Sequence, residues 1–303
     1  MTILEKYIWV INALYNKGEH GLSLKELNDR WIRDINVSNG EPLHRQTFDR
    51  WKGNILMAFG VNIECNLKGG YRYYISNPES LNNGEIVSWL LDAYSTVNTL
   101  SQNIQLKSRI ELEEIPSNRN FLTVIIEAMK DNTVISITHK NFTHKKSYTF
   151  PVEPYCLKMF QKRWYLLAKS INDGKMRIYG LDRLENVELT TECFSMPKDF
   201  NAKKYFSTFF GIVTDENVAF ERIVIRAYKQ HQQYVRSLPI HSSQKELYAC
   251  DAYADFELRL RPTYDFVMEL LHAGKMIEVM EPKSLRQTMK EWAKSLWELY
   301  KQD

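Results

Sequence analysis

A chain of 303 residues is too long for one small core, so a prior of about two to three domains follows from length alone. With 44% hydrophobic, 25% charged and 13% aromatic residues, the composition excludes the disordered, collagenous and low-complexity classes. The formal net charge of +3 is too small to name a partner, so the distribution of basic residues has to decide.

No run approaches the roughly 18 consecutive apolar residues of a spanning helix. The start, Met1 to Lys6, lacks the charged-then-apolar order of a secretory signal, which predicts a cytoplasmic protein with no membrane segment. Cys65, Cys156, Cys193 and Cys250 lie far apart, so neither a disulfide framework nor a cysteine zinc site is indicated.

In chain order, Ile3, Tyr7, Val10 and Leu14 mark one face of a first helix that ends near Lys17-Gly18. Ser23 and Glu26 form a capping box for a second helix carrying Leu24, Leu27 and Trp31. A polar loop from Asn36 to Pro42 leads to a third helix with Phe48, Trp51, Ile55 and Phe59 on its buried face and Gly60 as its stop. Val61, Ile63 and Cys65, the turn Lys68-Gly69-Gly70, then Tyr71, Tyr73 and Ile75 read as a hairpin. Three helices and a hairpin within residues 1–76 give the order of a winged helix-turn-helix, in which the third helix enters the major groove and the hairpin meets the backbone. A small α+β domain that binds nothing is the alternative. Candidate duplex-DNA contacts are Arg45, Gln46 and Arg50 on the third helix and Lys68 in the hairpin.

Residues 77–116 read as a helical linker, with Ile86, Trp89, Leu90, Ala93, Val97 and Leu100 in helical spacing and Pro116 as its close. Two roles stay open for it: dimerisation, or packing onto its own neighbouring domains. A short helix from Phe121 to Lys130 precedes strands near 133–138, 147–151, 157–161, 163–170, 176–181 and 187–191, which predict a small, strongly bent β-barrel within residues 117–200. Residues 201–303 alternate strand and helix and end in a long helix from Ser284, an α+β extension. The expected fold class is thus α+β multidomain.

Arg163-Trp164-Tyr165-Leu166-Leu167-Ala168 and Arg177-Ile178-Tyr179-Gly180-Leu181-Asp182-Arg183-Leu184 carry a resemblance. The chain resembles the WYL-domain transcriptional regulators of bacteria, named for the Trp-Tyr-Leu tripeptide and marked by a second block close to Arg-x-Phe-x-Leu-Asp-Arg-Ile. Val152-Glu153-Pro154 also fits the strand and turn before the tripeptide. His139 and Gly180 depart from the family pattern, where a tyrosine and a further basic residue are common. The resemblance implies a winged helix-turn-helix, linker helices, a WYL barrel of the Sm/SH3-like kind and a C-terminal extension, and a ligand-responsive DNA-binding regulator. The implied effector is a nucleic acid or another anion.

Charge supports an anion site independently. Between Thr138 and Arg183 stand ten Lys or Arg against Glu153, Asp173 and Asp182. Interleaved aromatic residues would add stacking surface for unpaired bases. The candidate effector residues are Lys145, Tyr148, Arg163, Tyr165, Arg177 and Arg183. Trp164 is assigned to core packing. No nucleophile elbow, zinc-protease helix or P-loop is present, so no catalytic residue, metal site or cofactor is expected. The sequence therefore predicts a homodimeric transcription factor that binds duplex DNA and senses single-stranded nucleic acid or a small anion. The alternative is an RNA or single-strand-binding accessory protein whose helix-turn-helix mediates protein contacts.

Overall fold

The computed structural model describes residues 2–81, 88–90, 93, 96, 108–109, 120–141 and 146–301. Most of the expected linker helix and the candidate Lys145 lie outside these residues. The chain divides into two compact units, residues 1–113 and 114–303.

In the first unit, the first two helices begin where a hydroxyl takes an orphan backbone N–H, Thr2 from Glu5 and Ser23 from Glu26. Helix α1 (Ile3–Tyr15) starts at Thr2, whose own N–H donates to Glu5 Oε2 at 2.6 Å. Helix α2 (Leu24–Arg33) starts at Ser23, whose N–H donates to Glu26 Oε2 at 2.8 Å, and a two-residue strand β1 (Leu22–Ser23) precedes it. The expected loop after Asp34 instead holds one helical turn, α3 (Ile35–Ser38), closed by Asn39 in the left-handed region at φ 53°. Helix α4 (Arg45–Phe59) stops at Gly60, φ 66°. Strands β2 (Ile63–Asn66) and β3 (Arg72–Ile75) form the hairpin, and β1 adds to it in the order β1-β3-β2.

The three helices meet through aromatic edges, because flat rings fill the space between crossing helices with specific geometry. Trp31 stands 5.0 Å from Trp9 and 5.5 Å from Trp51, and Phe48 meets Tyr73 at 4.8 Å, which fixes α4 against β3. The Asn54 amide donates to the Tyr7 hydroxyl at 2.7 Å. These contacts bury Phe48, Trp51, Ile55 and Phe59 and leave the opposite side of α4 in solvent.

In the second unit, helix α5 (Asn120–Asp131) lies on a five-stranded antiparallel sheet. Its strands are β4 (Thr133–Asn141), β5 (Lys146–Phe160), β6 (Arg163–Ser170), β7 (Met176–Gly180) and β8 (Leu184–Cys193), in the order β7-β6-β5-β4-β8. The expected barrel does not close: among the described residues, β7 and β8 stand at opposite edges with no pairing between them. The predicted strands 147–151 and 157–161 are one strand, β5. Its register shifts between Pro154 and Cys156, since a bulge is where a sheet accepts a residue with no N–H to give. Apolar cover replaces closure. Ile125 and Ala128 of α5 cap the face bearing Ile135, Ile137, Val152, Leu166 and Tyr179, while Phe194, Phe200 and Phe206 cover Tyr155, Cys156 and Leu167 on the other.

A short helix α6 (Ala202–Phe206) leads to β9 (Glu221–Tyr228), α7 (His231–Ser237), β10 (Lys245–Ala249), β11 (Tyr253–Leu260), α8 (Tyr264–His272), β12 (Ile277–Glu281) and α9 (Lys283–Tyr300). The four strands are antiparallel in the order β10-β11-β9-β12. Ile223, Ile225, Phe256 and Leu258 point to the helices, meeting Val235, Phe266 and Leu270. Lys158 on β5 reaches the segment between α6 and β9, where its Nζ donates to the Gly211 carbonyl at 2.6 Å. Burial pushes the Lys158 ammonium down to about 8.

Candidate nucleic-acid and ligand surfaces

On the first unit, α4 follows directly from α2 and α3, and its amino-terminal half carries three predicted contacts. Arg45, Gln46 and Arg50 are all exposed. Arg45 makes a loose ion pair with Asp49 at 3.8 Å, whereas Gln46 and Arg50 make no side-chain hydrogen bond or ion pair among the described residues. Lys52 is held instead, paired with Asp49 at 2.9 Å and lying over the Tyr73 ring at 5.0 Å. Lys68 is exposed at the hairpin tip, beside Gly69 and Gly70. Gly70 takes φ 84°, a conformation that favours glycine at the tip, while a Cβ on Gly69 would meet only the end of the Asn66 side chain, at 2.7 Å.

On the WYL-bearing sheet, register decides which candidates can converge, since directly opposed residues share a face. Ala168 opposes Arg177, Leu166 opposes Tyr179, and His139 opposes Tyr148, so Arg177, Tyr179, His139 and Tyr148 belong to one face. They line a cleft of about 400 Å³ with Phe150, Ser170, Asn172 and Asp173. Tyr165 opposes Gly180 on the other face and is 9% exposed, so it cannot reach this cleft. Arg163 shares that other face and pairs with Asp182 at 3.1 Å. Arg183 sits in the turn Leu181–Arg183 and lines a separate cleft of about 480 Å³ with Lys140, Asp182 and Glu185. Of the five described candidates, the cleft therefore joins Tyr148 and Arg177 and leaves Arg163, Tyr165 and Arg183 elsewhere.

The cleft has two features that a periodicity reading does not reach. Arg177 is not bare: its guanidinium donates twice to Asp173, at 2.7 and 2.5 Å, and holds that carboxyl well below the usual carboxylate range. The signal for it was the turn Asn172-Asp173-Gly174-Lys175, which sets Asp173 four residues before Arg177. The second feature is a pair of buried polar atoms. Tyr179 is 5% exposed, yet among the described residues its hydroxyl has no partner in hydrogen-bond geometry, although the Arg177 guanidinium lies near enough to oppose the rise in its pKa that burial causes. His139 Nε2 is likewise buried and unpartnered, with its ring 5.5 Å from that of Tyr179. Burial, followed by the nearby Arg183 charge, lowers the His139 pKa, so the imidazole is held neutral. Buried polar atoms without partners are uncommon because each costs about 1 to 3 kcal/mol. Two of them in one cleft beside a guanidinium and an exposed tyrosine form an arrangement that an oxygen-rich ligand would complete.

The tripeptide Trp164-Tyr165-Leu166 is structural. Leu166 is fully buried and Trp164 packs against the same core, as assigned from the sequence.

Comparison with known proteins places this architecture. A WYL domain model matches residues 120–189, and a WCX domain model matches residues 219–297. No curated protein matches the chain. Among solved structures, the chain is similar to the proteasome accessory factor B/C (PafBC) of Arthrobacter aurescens, with 19% identity, 94% of this chain covered and a TM-score of 0.35. The chain spans 45% of that protein's length. It is also similar to a CRISPR Cas-related protein, with 13% identity, 97% of this chain and 85% of that chain covered, and a TM-score of 0.41. With the tripeptide in its sheet, the Arg177-to-Leu184 block on the strand and turn beside it, and the second match after it, the chain carries a WYL domain followed by a WCX domain.

Proposed function

We propose that this protein is a DNA-binding transcriptional regulator that reads a duplex operator with the first unit and senses an anionic ligand in the cleft of the WYL domain. In this reading residues 1–76 are a winged helix-turn-helix, residues 117–200 the sensor and residues 201–303 an extension. Gln46 and Arg50 reach base edges from α4, Arg45 adds to them, and Lys68 meets a phosphate. A homodimer binding a palindromic or repeated site fits, because one winged helix seldom supplies enough contacts for tight operator binding.

The observation that carries the sensing half is the unpartnered Tyr179 hydroxyl inside the cleft. A phosphate oxygen there accepts from Tyr179 and Arg177, while a base stacks on the exposed Tyr148. Single-stranded nucleic acid supplies both groups. The decisive experiment is a selection of bound duplexes from a random pool, followed by operator titrations with and without a saturating single-stranded oligonucleotide. A recovered motif, lost in Arg50→Ala, and an operator affinity that changes with single strand are the expected results. No enriched duplex removes the DNA-reading half, and equal affinities remove the switch, since a ligand shifts an equilibrium only by its differential affinity for the two states.

A further inference from the structure

The C-terminal domain holds a second surface that the proposed function leaves unused. Its elements run β9-α7-β10-β11-α8-β12, a split βαββαβ unit with β11 and β9 at the centre of the sheet. Both helices pack on the face that bears Ile223, Ile225, Phe256 and Leu258. The other face is open, and three tyrosines from three adjacent strands form a row across it. Tyr253 on β11 opposes Tyr228 on β9, with ring centroids 6.4 Å apart. Tyr248 on β10 stands 5.7 Å from Tyr253 and is 53% exposed.

Beside the row, the Arg226 guanidinium carbon stands over the Tyr253 ring, 3.7 Å from its centroid, fixed by two hydrogen bonds to Asp255 at 2.8 and 2.9 Å. A guanidinium held there extends the stacking surface rather than blocking it. The arginines of this face are matched by carboxylates: Arg222 pairs with Glu257 and Glu281, and Arg259 with Glu257. The sheet itself thus offers aromatic surface with little net charge.

Positive charge enters at the β12 edge. There Tyr228 and Glu278 line a cleft of about 800 Å³ together with Lys275, Lys283, Arg286 and Lys290. Arg286 is engaged by Glu278 at 2.6 Å, whereas Lys275, Lys283 and Lys290 have no ion pair among the described residues. Aromatic residues on the two central strands of a four-stranded sheet stack unpaired bases, and a cationic groove alongside tracks their phosphates.

We propose that the open face of this sheet, from Tyr248 through Tyr253 to Tyr228, together with the lysine-lined cleft beside α9, binds single-stranded nucleic acid as a site separate from the WYL cleft. Bases stack on Tyr248 and Tyr253, and the strand's phosphates turn into the cleft toward Lys283 and Lys290.

The test uses the full chain and single-stranded oligonucleotides of about a dozen nucleotides carrying 4-thiouridine or 4-thiothymidine, photo-cross-linked and mapped by mass spectrometry. Cross-links on peptides containing Tyr248 or Tyr253 are expected, retained in Arg177→Ala. Affinity at this site should fall about tenfold in Tyr248→Ala and in Tyr253→Ala and survive in Tyr253→Phe, which keeps the ring. Paired Lys283→Ala and Lys290→Ala should flatten the log-log salt slope by about 1.4. Oligonucleotide that cross-links only within residues 139–183, or affinity unchanged in Tyr248→Ala, overturns this site and leaves the WYL cleft standing. Cross-links on residues 245–255 with none near Tyr148 do the reverse. No binding at all overturns both, and a protein partner then becomes the occupant of the open face.

Discussion

Replacing Tyr179 by phenylalanine should move stability and ligand affinity in opposite directions. The ring is anchored by the edges of His139 at 5.5 Å and Phe150 at 5.7 Å, and phenylalanine preserves both contacts. Only the hydroxyl disappears, and among the described residues that hydroxyl is buried without a hydrogen-bond partner. An unsatisfied buried hydroxyl costs about 1 to 3 kcal/mol, so its removal should stabilise the free protein by about 1 kcal/mol after the cleft's remaining polarity is counted. For a unit of this size such a gain raises Tm by about 2 to 4 °C. If the hydroxyl donates to a phosphate oxygen of the bound ligand, its loss removes a charge-assisted hydrogen bond of about 1.5 to 3 kcal/mol, or roughly ten- to a hundredfold in Kd. Paired thermal melts of wild type and Tyr179→Phe, with and without a single-stranded oligonucleotide, read both effects in one series. A Tm that falls in the free variant would mean that the hydroxyl is satisfied in solution, and the reasoning from an unpaired hydroxyl would fail. Unchanged affinity would take Tyr179 out of the ligand contact.

Three further outcomes follow from the geometry. Arg50→Ala should relax operator preference, at a cost of about 1 to 3 kcal/mol if the arginine reads a guanine, while Lys68→Ala should weaken all duplexes alike; titration against matched and mismatched duplexes separates the two. Because His139 is held neutral by burial, it contributes stability above the ordinary histidine value of 6.5 that is lost as pH falls below it. An anion bound beside it should favour the imidazolium, so oligonucleotide affinity should rise as pH falls and His139→Asn should flatten that rise. The backbone N–H and then the hydroxyl of Ser23 hold the Glu26 carboxyl at about 2, with Arg72 adding to them, so its contribution to the first unit is present above about 4.5 and lost as pH falls toward 2. Acid titration followed by tryptophan emission should show a shallower low-pH limb in Glu26→Gln.

The first unit was legible because its signals are local. Capping boxes at Thr2 and Ser23, the apolar stripe of α4 and the glycine stop at Gly60 each act within a turn of where they stand. What escaped was β1, two residues whose strand character exists only because β3 pairs with them, and the turn α3, where tertiary contact outweighs a polar loop composition. The same division holds in the second unit. Helix α8 and strand β11 carry strong periodicity, whereas the exposed edge strand β10 has no apolar alternation to betray it. The strand expected over 147–151 stops at Pro151 because a missing N–H breaks a ladder, and only the pairing of Pro151 with Ser136 and the bulge between Pro154 and Cys156 show β5 to be continuous.

The candidate ligand residues divide along a physical line rather than by residue type. Composition located the basic and aromatic stretch, but a strand turns alternate residues to opposite faces, and sequence spacing cannot say how two strands are registered. Tyr165 and Arg177 both belong to the family blocks, and the β6–β7 register sends them to different faces. The β4–β5 register, which sets His139 opposite Tyr148, brings into the cleft the residue at which this chain departs from the tyrosine common in the sequences it resembles. A tyrosine there would carry its hydroxyl at the end of a longer ring. The histidine instead leaves Nε2 buried near the Tyr179 ring, where its protonation state can follow the charge of whatever occupies the cleft. If the cleft takes an anion as proposed, the departure alters ligand coupling without altering the sheet, since an aromatic residue of either kind can pack against Tyr179. Specificity within such a family can therefore be set at His139 while Leu166, Ala168 and Tyr179 keep the fold.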